Sequence, residues 1–251
     1  MKNHCLAAVA ALVCLFSANV TAQTWLGLKA GISIPNLSAG SSSSPVSKGY
    51  SSRQGPDASV FAIFHVSGVF SIQPEINYSS QGGKKNGAQA LPVTPDVAQM
   101  LPPGTSYIYA HFKSEVKINY LMIPILARFD FKLSHKWFWY VDGGPFAAFL
   151  LSAHNVTSGT SPLYLDEQLT QPLPLGDQPF DNKENIKSQL HTFNTGVAAN
   201  IGIGCGLGKG RLFLEGGGNY GFLTIQKGTV NGENNTGAAT IRLGYQLALK
   251  H

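Results

Sequence analysis

The chain is 251 residues long, and only 12 % of them are charged, against a usual share of about 25 %. With 28 glycines and 43 % hydrophobic residues, this composition suits strands that carry one apolar and one polar face. The formal charge of +5 is not concentrated in any stretch, which argues against the clustered basic face of a nucleic-acid-binding protein.

The first residues carry an export pattern. Lys2 and His4 make a polar start, an apolar run extends from Leu6 to Phe16, and Val20 and Ala22 occupy the two positions a signal peptidase reads. This predicts a signal peptide over residues 1–22 and an exported domain over 23–251. A lipidated Cys14 is the rival reading, but Leu15 and Phe16 continue the apolar run past it. Cys5 and Cys14 leave with the signal, so Cys205 is alone in the exported domain; neither a disulfide framework nor a Cys/His metal site is expected. No cofactor is expected. No later segment supplies the ~20 consecutive apolar residues of a membrane helix, and the most apolar stretches, 120–127 and 141–151, each contain a proline.

A residue spacing of two runs through the rest of the chain. In a first strand, 25–34, Leu26, Leu28, Ala30, Ile32 and Ile34 share one face, and Gly27, Lys29, Gly31 and Ser33 the other. A second, 58–66, alternates less cleanly, because Phe61 and Ile63 share a face with His65. The third sets Ser71, Gln73, Glu75, Asn77 and Ser79 against Phe70, Ile72, Pro74, Ile76 and Tyr78. A fourth, 115–131, sets Ile123, Ile125, Ala127, Phe129 and Phe131 against Met122, Pro124, Leu126, Arg128 and Asp130. In the fifth, 137–151, Asp142 facing inward puts Trp137, Trp139, Val141 and Phe149 outside, with Phe138 and Tyr140 inside or at the rim. The sixth, 192–207, sets Val197, Ile201 and Ile203 against Asn200, Gly202 and Gly204. The seventh sets Leu212 and Leu214 against Phe213 and Glu215. The last sets Ile241, Leu243 and Leu247 against Arg242, Gly244 and Gln246.

Connections alternate in length. Short ones fall at Ser67-Gly68, Leu133-Ser134-His135-Lys136 and Gly208-Lys209-Gly210, and long ones at 35–57, 80–114, 152–191 and 226–237. This predicts an all-β fold: an eight-stranded antiparallel up-and-down transmembrane β-barrel with short periplasmic turns and long extracellular loops. Closure matters because an open sheet in hydrocarbon would leave edge groups unsatisfied. At eight strands the interior is just wide enough for side chains to fill, which disfavours a porin. The inward charged set, Lys29, Glu75, Arg128, Asp142, Glu215 and Arg242, is expected to pair into a lumen network that plugs the barrel, since buried charge needs a partner. Trp25, Tyr78, Trp137, Trp139, Tyr220, Phe222 and Tyr245 lie near strand ends, where interfacial girdles belong.

Gly27-Leu28-Lys29-Ala30-Gly31, Gln73-Pro74-Glu75-Ile76-Asn77-Tyr78, Tyr120-Leu121-Met122-Ile123-Pro124 and Gly143-Gly144-Pro145-Phe146 together resemble the PorT-like outer membrane β-barrel family. The resemblance spans nearly the whole exported domain and implies an outer membrane location. The final strand also resembles the signal read by the barrel-assembly machinery, with Arg242, Gly244, Leu247 and Leu249 at the matching spacing, although the chain ends in Lys250-His251 rather than an aromatic residue.

The expected function is non-enzymatic: a plugged barrel set in outer membrane lipid, with outward loops, 82–103 and 162–185 above all, that bind an extracellular or envelope protein or stabilise the membrane. Ser41 to Ser44 reads as a flexible loop tip. One alternative is a lipid-modifying outer membrane enzyme, for which His65, His111, His154 and His191 are available, though none sits in a recognisable Ser/His/acid pattern. Another is a soluble lipocalin-like barrel, which would reverse every face assignment. No catalytic, cofactor or metal residue is assigned.

Overall fold

The computed structural model describes residues 24–249; the expected signal peptide, with Cys5 and Cys14, lies outside them. Eight long strands form the body: β1 (Thr24–Ser38), β2 (Gly55–Ser67), β3 (Phe70–Pro92), β4 (Tyr107–Lys132), β5 (Trp137–Ser158), β6 (Phe193–Leu207), β7 (Gly210–Gly221) and β8 (Asn235–Ala248). Each pairs antiparallel with its sequence neighbours, and β1 pairs with β8 from Trp25↔Ala248 to Ser38↔Asn235, which closes the ring. The short strand Asn182–Asn185 adds to the outer end of β5, and Thr160–Ser161 pairs with Gln178–Pro179.

The alternation of side chains decides the faces. Leu28, Val60, Ile76, Ile125, Ile201, Leu214 and Leu243 are exposed on the outside, whereas Lys29, Gln73, Glu75, Arg128, Glu215 and Gln246 are buried within. A large apolar surface facing outward from a closed sheet is stable only in hydrocarbon. The lipocalin-like alternative, which needs the opposite faces, is thereby overturned.

Pro74, Pro124 and Pro145 lie in strand interiors, where a proline removes a ladder donor. The β3–β4 ladder lapses between Pro74↔Ile125 and Asn77↔Met122, and the β4–β5 ladder lapses between Pro124↔Phe146 and Ala127↔Gly143. Pro145 is accommodated opposite Val197.

Inside, the short-turn end is filled by Phe61, Ile63, Phe138, Tyr140 and Phe213, with Trp25 packed against them. Phe61 is paired across the ladder with Gly27, Tyr140 with Gly202, Phe138 with Gly204, and Phe213 with Gly244. Any Cβ at these four glycines would run into the ring opposite. The irregular alternation expected for β2 has this cause: its inward residues are aromatic and aliphatic, and the neighbouring strands make room for them. Trp25 departs from the expected girdle, since the Arg211 guanidinium lies 4.2 Å over its ring at the short-turn mouth. Trp137, Tyr78, Tyr220 and Phe222 are exposed near the strand ends.

The largest departure from the sequence expectation lies at the long-loop end. The stretch 80–114, read as a loop, is mostly strand: β3 and β4 stay paired from Ser79↔Tyr120 to Pro92↔Tyr107. About 9–11 residues suffice to cross a membrane as a tilted strand, so this hairpin stands well clear of the hydrocarbon.

Candidate functional site

The middle of the lumen is a charged layer. Lys29 on β1 reaches Glu75 on β3 at 2.7 Å and Glu215 on β7 at 2.9 Å. Arg242 on β8 lies 3.0 Å from the same Glu215 and 3.4 Å from Asp57 on β2. Asn200 on β6 joins Asp142 to this group, donating to Asp142 at 2.7 Å and accepting from Arg242 at 2.8 Å. The Tyr140 hydroxyl on β5 donates to Glu215 at 2.6 Å. Side chains from many strands thus converge on two glutamates.

Of the six residues expected to pair, Lys29, Glu75, Glu215 and Arg242 meet directly, and Asp142 is reached through Asn200. Arg128 stands opposite Asp142 on the β4–β5 ladder but forms no hydrogen bond or ion pair with any of the other five. Its carboxylate partner is Asp130, two residues on along the same face, at 2.8 Å. Its guanidinium also lies 3.5 Å over the Tyr140 ring and donates to Gln73 at 2.8 Å. Gln73 in turn donates to Glu75 at 2.6 Å, so Arg128 joins the layer through an amide.

Asp57, Gln73, Tyr140 and Asn200 belong to the layer, although the sequence reading assigned them no role there. Asp57 closes the expected loop 35–57; its spacing of two from Ser59 and four from Phe61 is the signal that places it on their inward face. In the assembly-signal pattern, Arg242 and Gly244 face inward, whereas Leu247 and Leu249 are exposed.

Towards the long-loop end β4 and β5 present an apolar cluster, with Val116, Ile118, Tyr120, Met122, Phe146 and Leu150 buried together, beside buried polar Ser79, Gln81, Asn194 and Thr236. The loops above are tied to one another and to the strands. Arg53 donates to Glu115 at 2.8 Å and to Ser80 at 2.9 Å, which fixes the first loop to β3 and β4. Asn234 donates to the Ser47 carbonyl at 2.7 Å, joining the fourth loop to the first. Within the Ser41 to Ser44 stretch, expected as a flexible tip, Ser42 N–H donates to the Ala39 carbonyl at 2.9 Å. Tyr50 lies in this packing, and burial pushes its hydroxyl up to about 12.

Among the described residues no three His, Cys, Asp or Glu side chains are grouped to hold a metal. His65, His111, His154 and His191 lie on separate elements or their flanks, and among the described residues no hydrogen bond joins any of their side chains to a serine or a carboxylate.

A family model described as "Outer membrane protein beta-barrel domain" matches residues 21–226. Comparison with curated proteins finds no match. Among solved structures, Neisserial surface protein A is 10% identical, with a TM-score of 0.45 over 90% of this chain and 97% of that one. The attachment invasion locus protein Ail of Yersinia pestis is 8% identical, with a TM-score of 0.39 over 90% of this chain and 99% of that one. The outer membrane protease OmpT of Escherichia coli is 9% identical, with a TM-score of 0.27 over 91% and 96%. With a closed ring of eight strands, an apolar exterior and a family model matching most of its length, the chain belongs to the outer membrane protein beta-barrel domain family.

Proposed function

We propose that the protein is a non-enzymatic, PorT-like outer membrane barrel, plugged by its own side chains, that presents a rigid platform of loops to an extracellular or envelope protein. The observation that carries this reading is the charged layer. It joins β1, β2, β3, β7 and β8 by ion pairs across the lumen. A void of about 10 Å³ beside Arg242 and Asn200 is of the order of one water. Below this layer the aromatic cluster packs across the lumen, above a cavity of about 300 Å³ at the short-turn mouth.

The partner surface is best sought on the β3–β4 hairpin and the connection 159–192. The hairpin tip, 93–106, exposes Met100, and the fourth loop exposes Val230 at its own tip. Exposed apolar residues on tied loops offer contact area without a large ordering cost. Export by a signal peptide over residues 1–22 and insertion through a β8 signal of Arg242, Gly244, Leu247 and Leu249 complete the proposal.

The enzyme alternative has less support, because acyl or peptide hydrolysis needs an activated nucleophile or water beside a base and the histidines lack such partners. The test combines two measurements on the refolded protein. In planar bilayers it should show no steady conductance, and deletion of residues 93–106 should abolish capture of an envelope protein while leaving the heat-modifiable gel shift intact. Steady open channels would refute the plug, and capture unaffected by the deletion would refute the role of the hairpin.

A further inference from the structure

The outward end of the barrel holds a cavity of about 380 Å³, within the range that proteins use for small ligands. Leu37, Phe112, Val116, Leu190 and Ile225 supply buried apolar wall. The loops around it are fastened together: Asn231 donates to Gln189 at 2.9 Å, and His191 N–H donates to the Ile225 carbonyl at 2.8 Å. These bonds hold the third and fourth loops together, while the Asn234–Ser47 bond holds the fourth to the first.

Lys85 lies on this wall and is only 9% exposed. Its ammonium donates to the Val46 carbonyl at 2.7 Å and sits 4.2 Å over the Tyr50 ring. Among the described residues no carboxylate lies within ion-pair distance of it. The contrast with Lys29, Arg128 and Arg242 is direct, because each of those buried cations has a carboxylate partner. Glu184 also lines the cavity, but it is exposed and accepts from Gln189 at 2.9 Å. A buried ammonium without a counter-charge is costly, and an ammonium has three donors to satisfy. Burial holds this one down to about 8.

We propose that the cavity binds a small organic carboxylate, with the anion on Lys85 and an apolar body against Leu37, Phe112 and Leu190. A lone ammonium matches a singly charged head group, whereas a phosphate is better served by several cations or a guanidinium fork. The apolar walls require a carbon body, which an inorganic anion lacks. This proposal does not depend on the protein partner suggested above.

The test is a fluorine NMR titration of para-trifluoromethylbenzoate against the folded protein in lipid nanodiscs, with empty nanodiscs as the blank. Saturable binding is expected. Losing a charge-assisted hydrogen bond should weaken it about tenfold or more in Lys85→Met, while Lys85→Arg should retain most of it. The neutral para-trifluoromethylbenzyl alcohol should bind about tenfold more weakly, and inorganic phosphate should not displace the probe. Heat-modifiable migration checks that each variant is folded. Failure to saturate above the blank, unchanged affinity in folded Lys85→Met, equal binding of the alcohol, or displacement by phosphate would each overturn the proposal.

Discussion

Lys29 and Glu215 meet at 2.9 Å inside the barrel although 186 residues separate them in sequence. One stands on the first strand and the other on the seventh, so their contact exists only once the ring has closed. Glu75 shares the same ammonium and Arg242 the same carboxylate. The four side chains therefore compensate one another in a place where no single charge could remain alone.

Removing one member should be costly. In Lys29→Met, Glu75 loses its ammonium partner and Glu215 keeps Arg242 as its one cation, so unfolding in lipid vesicles should show a loss of about 3–5 kcal/mol. Replacing Lys29, Glu75 and Glu215 together by Met, Gln and Gln should recover part of that loss. Urea titrations followed by tryptophan fluorescence measure both; a single-variant loss below about 1 kcal/mol, the scale of a surface pair, would show that the layer is not tightly coupled.

The aromatic layer makes a packing prediction. Gly244 lies directly opposite Phe213, and a Cβ there would collide with the ring, which is itself packed against Phe61 and Tyr140. Gly244→Ala should destabilise the barrel by about 1–3 kcal/mol. Adding Phe213→Leu should make the alanine less damaging than it is in the wild-type background. Unfolding midpoints of the two singles and the double provide the cycle, and strict additivity would contradict this account.

Lys85 makes a prediction about pH. Its folded value, about 8, lies below the ordinary 10.5 because burial removes water from the ammonium. Between those values the unfolded chain holds a proton that the folded chain lacks, so this group makes stability rise with pH across that window. Below about pH 8 the buried charge opposes folding. Lys85→Met should therefore be more stable than wild type at neutral pH, and the gap should narrow as pH approaches 10.5. Paired unfolding curves at several pH values test this; a constant gap would contradict it.

The exterior should resist charge according to depth. Leu243 lies near the middle of the outward row that runs from Ala239 to Leu247, and Leu243→Arg should cost about 2–4 kcal/mol of folding in bilayers. The same change at Val230, in the fourth loop, should be nearly silent. Equal effects at both sites would argue against a lipid-facing β8.

The transmembrane part was legible because lipid outside and polar side chains inside impose a strict period of two, which Ile201, Leu243, Glu75 and Arg242 all obey. The outer hairpin was not, because that constraint ends with the hydrocarbon. Gly82-Gly83-Lys84-Lys85-Asn86-Gly87 reads as loop chemistry, yet the backbone ladder continues through Lys84↔Glu115 and Gly87↔Phe112. The ion pairs were legible as a set but not as partners: which strands face each other across a ring depends on tilt and stagger, so Asp57 and Asn200 were missed. The Arg128–Asp130 pair needs no knowledge of the ring, since the two lie at same-face spacing, yet grouping Arg128 with the other lumen charges passed over it.

Brominated-lipid quenching of single tryptophans tests the orientation of the faces most directly. With Trp25, Trp137 and Trp139 replaced by Phe, tryptophans introduced at Leu243 and Ile201 should be strongly quenched in bilayers, and one at Val230 should not be. Unquenched, water-like emission from Leu243 and Ile201 in the folded protein would contradict the placement of the apolar face in lipid.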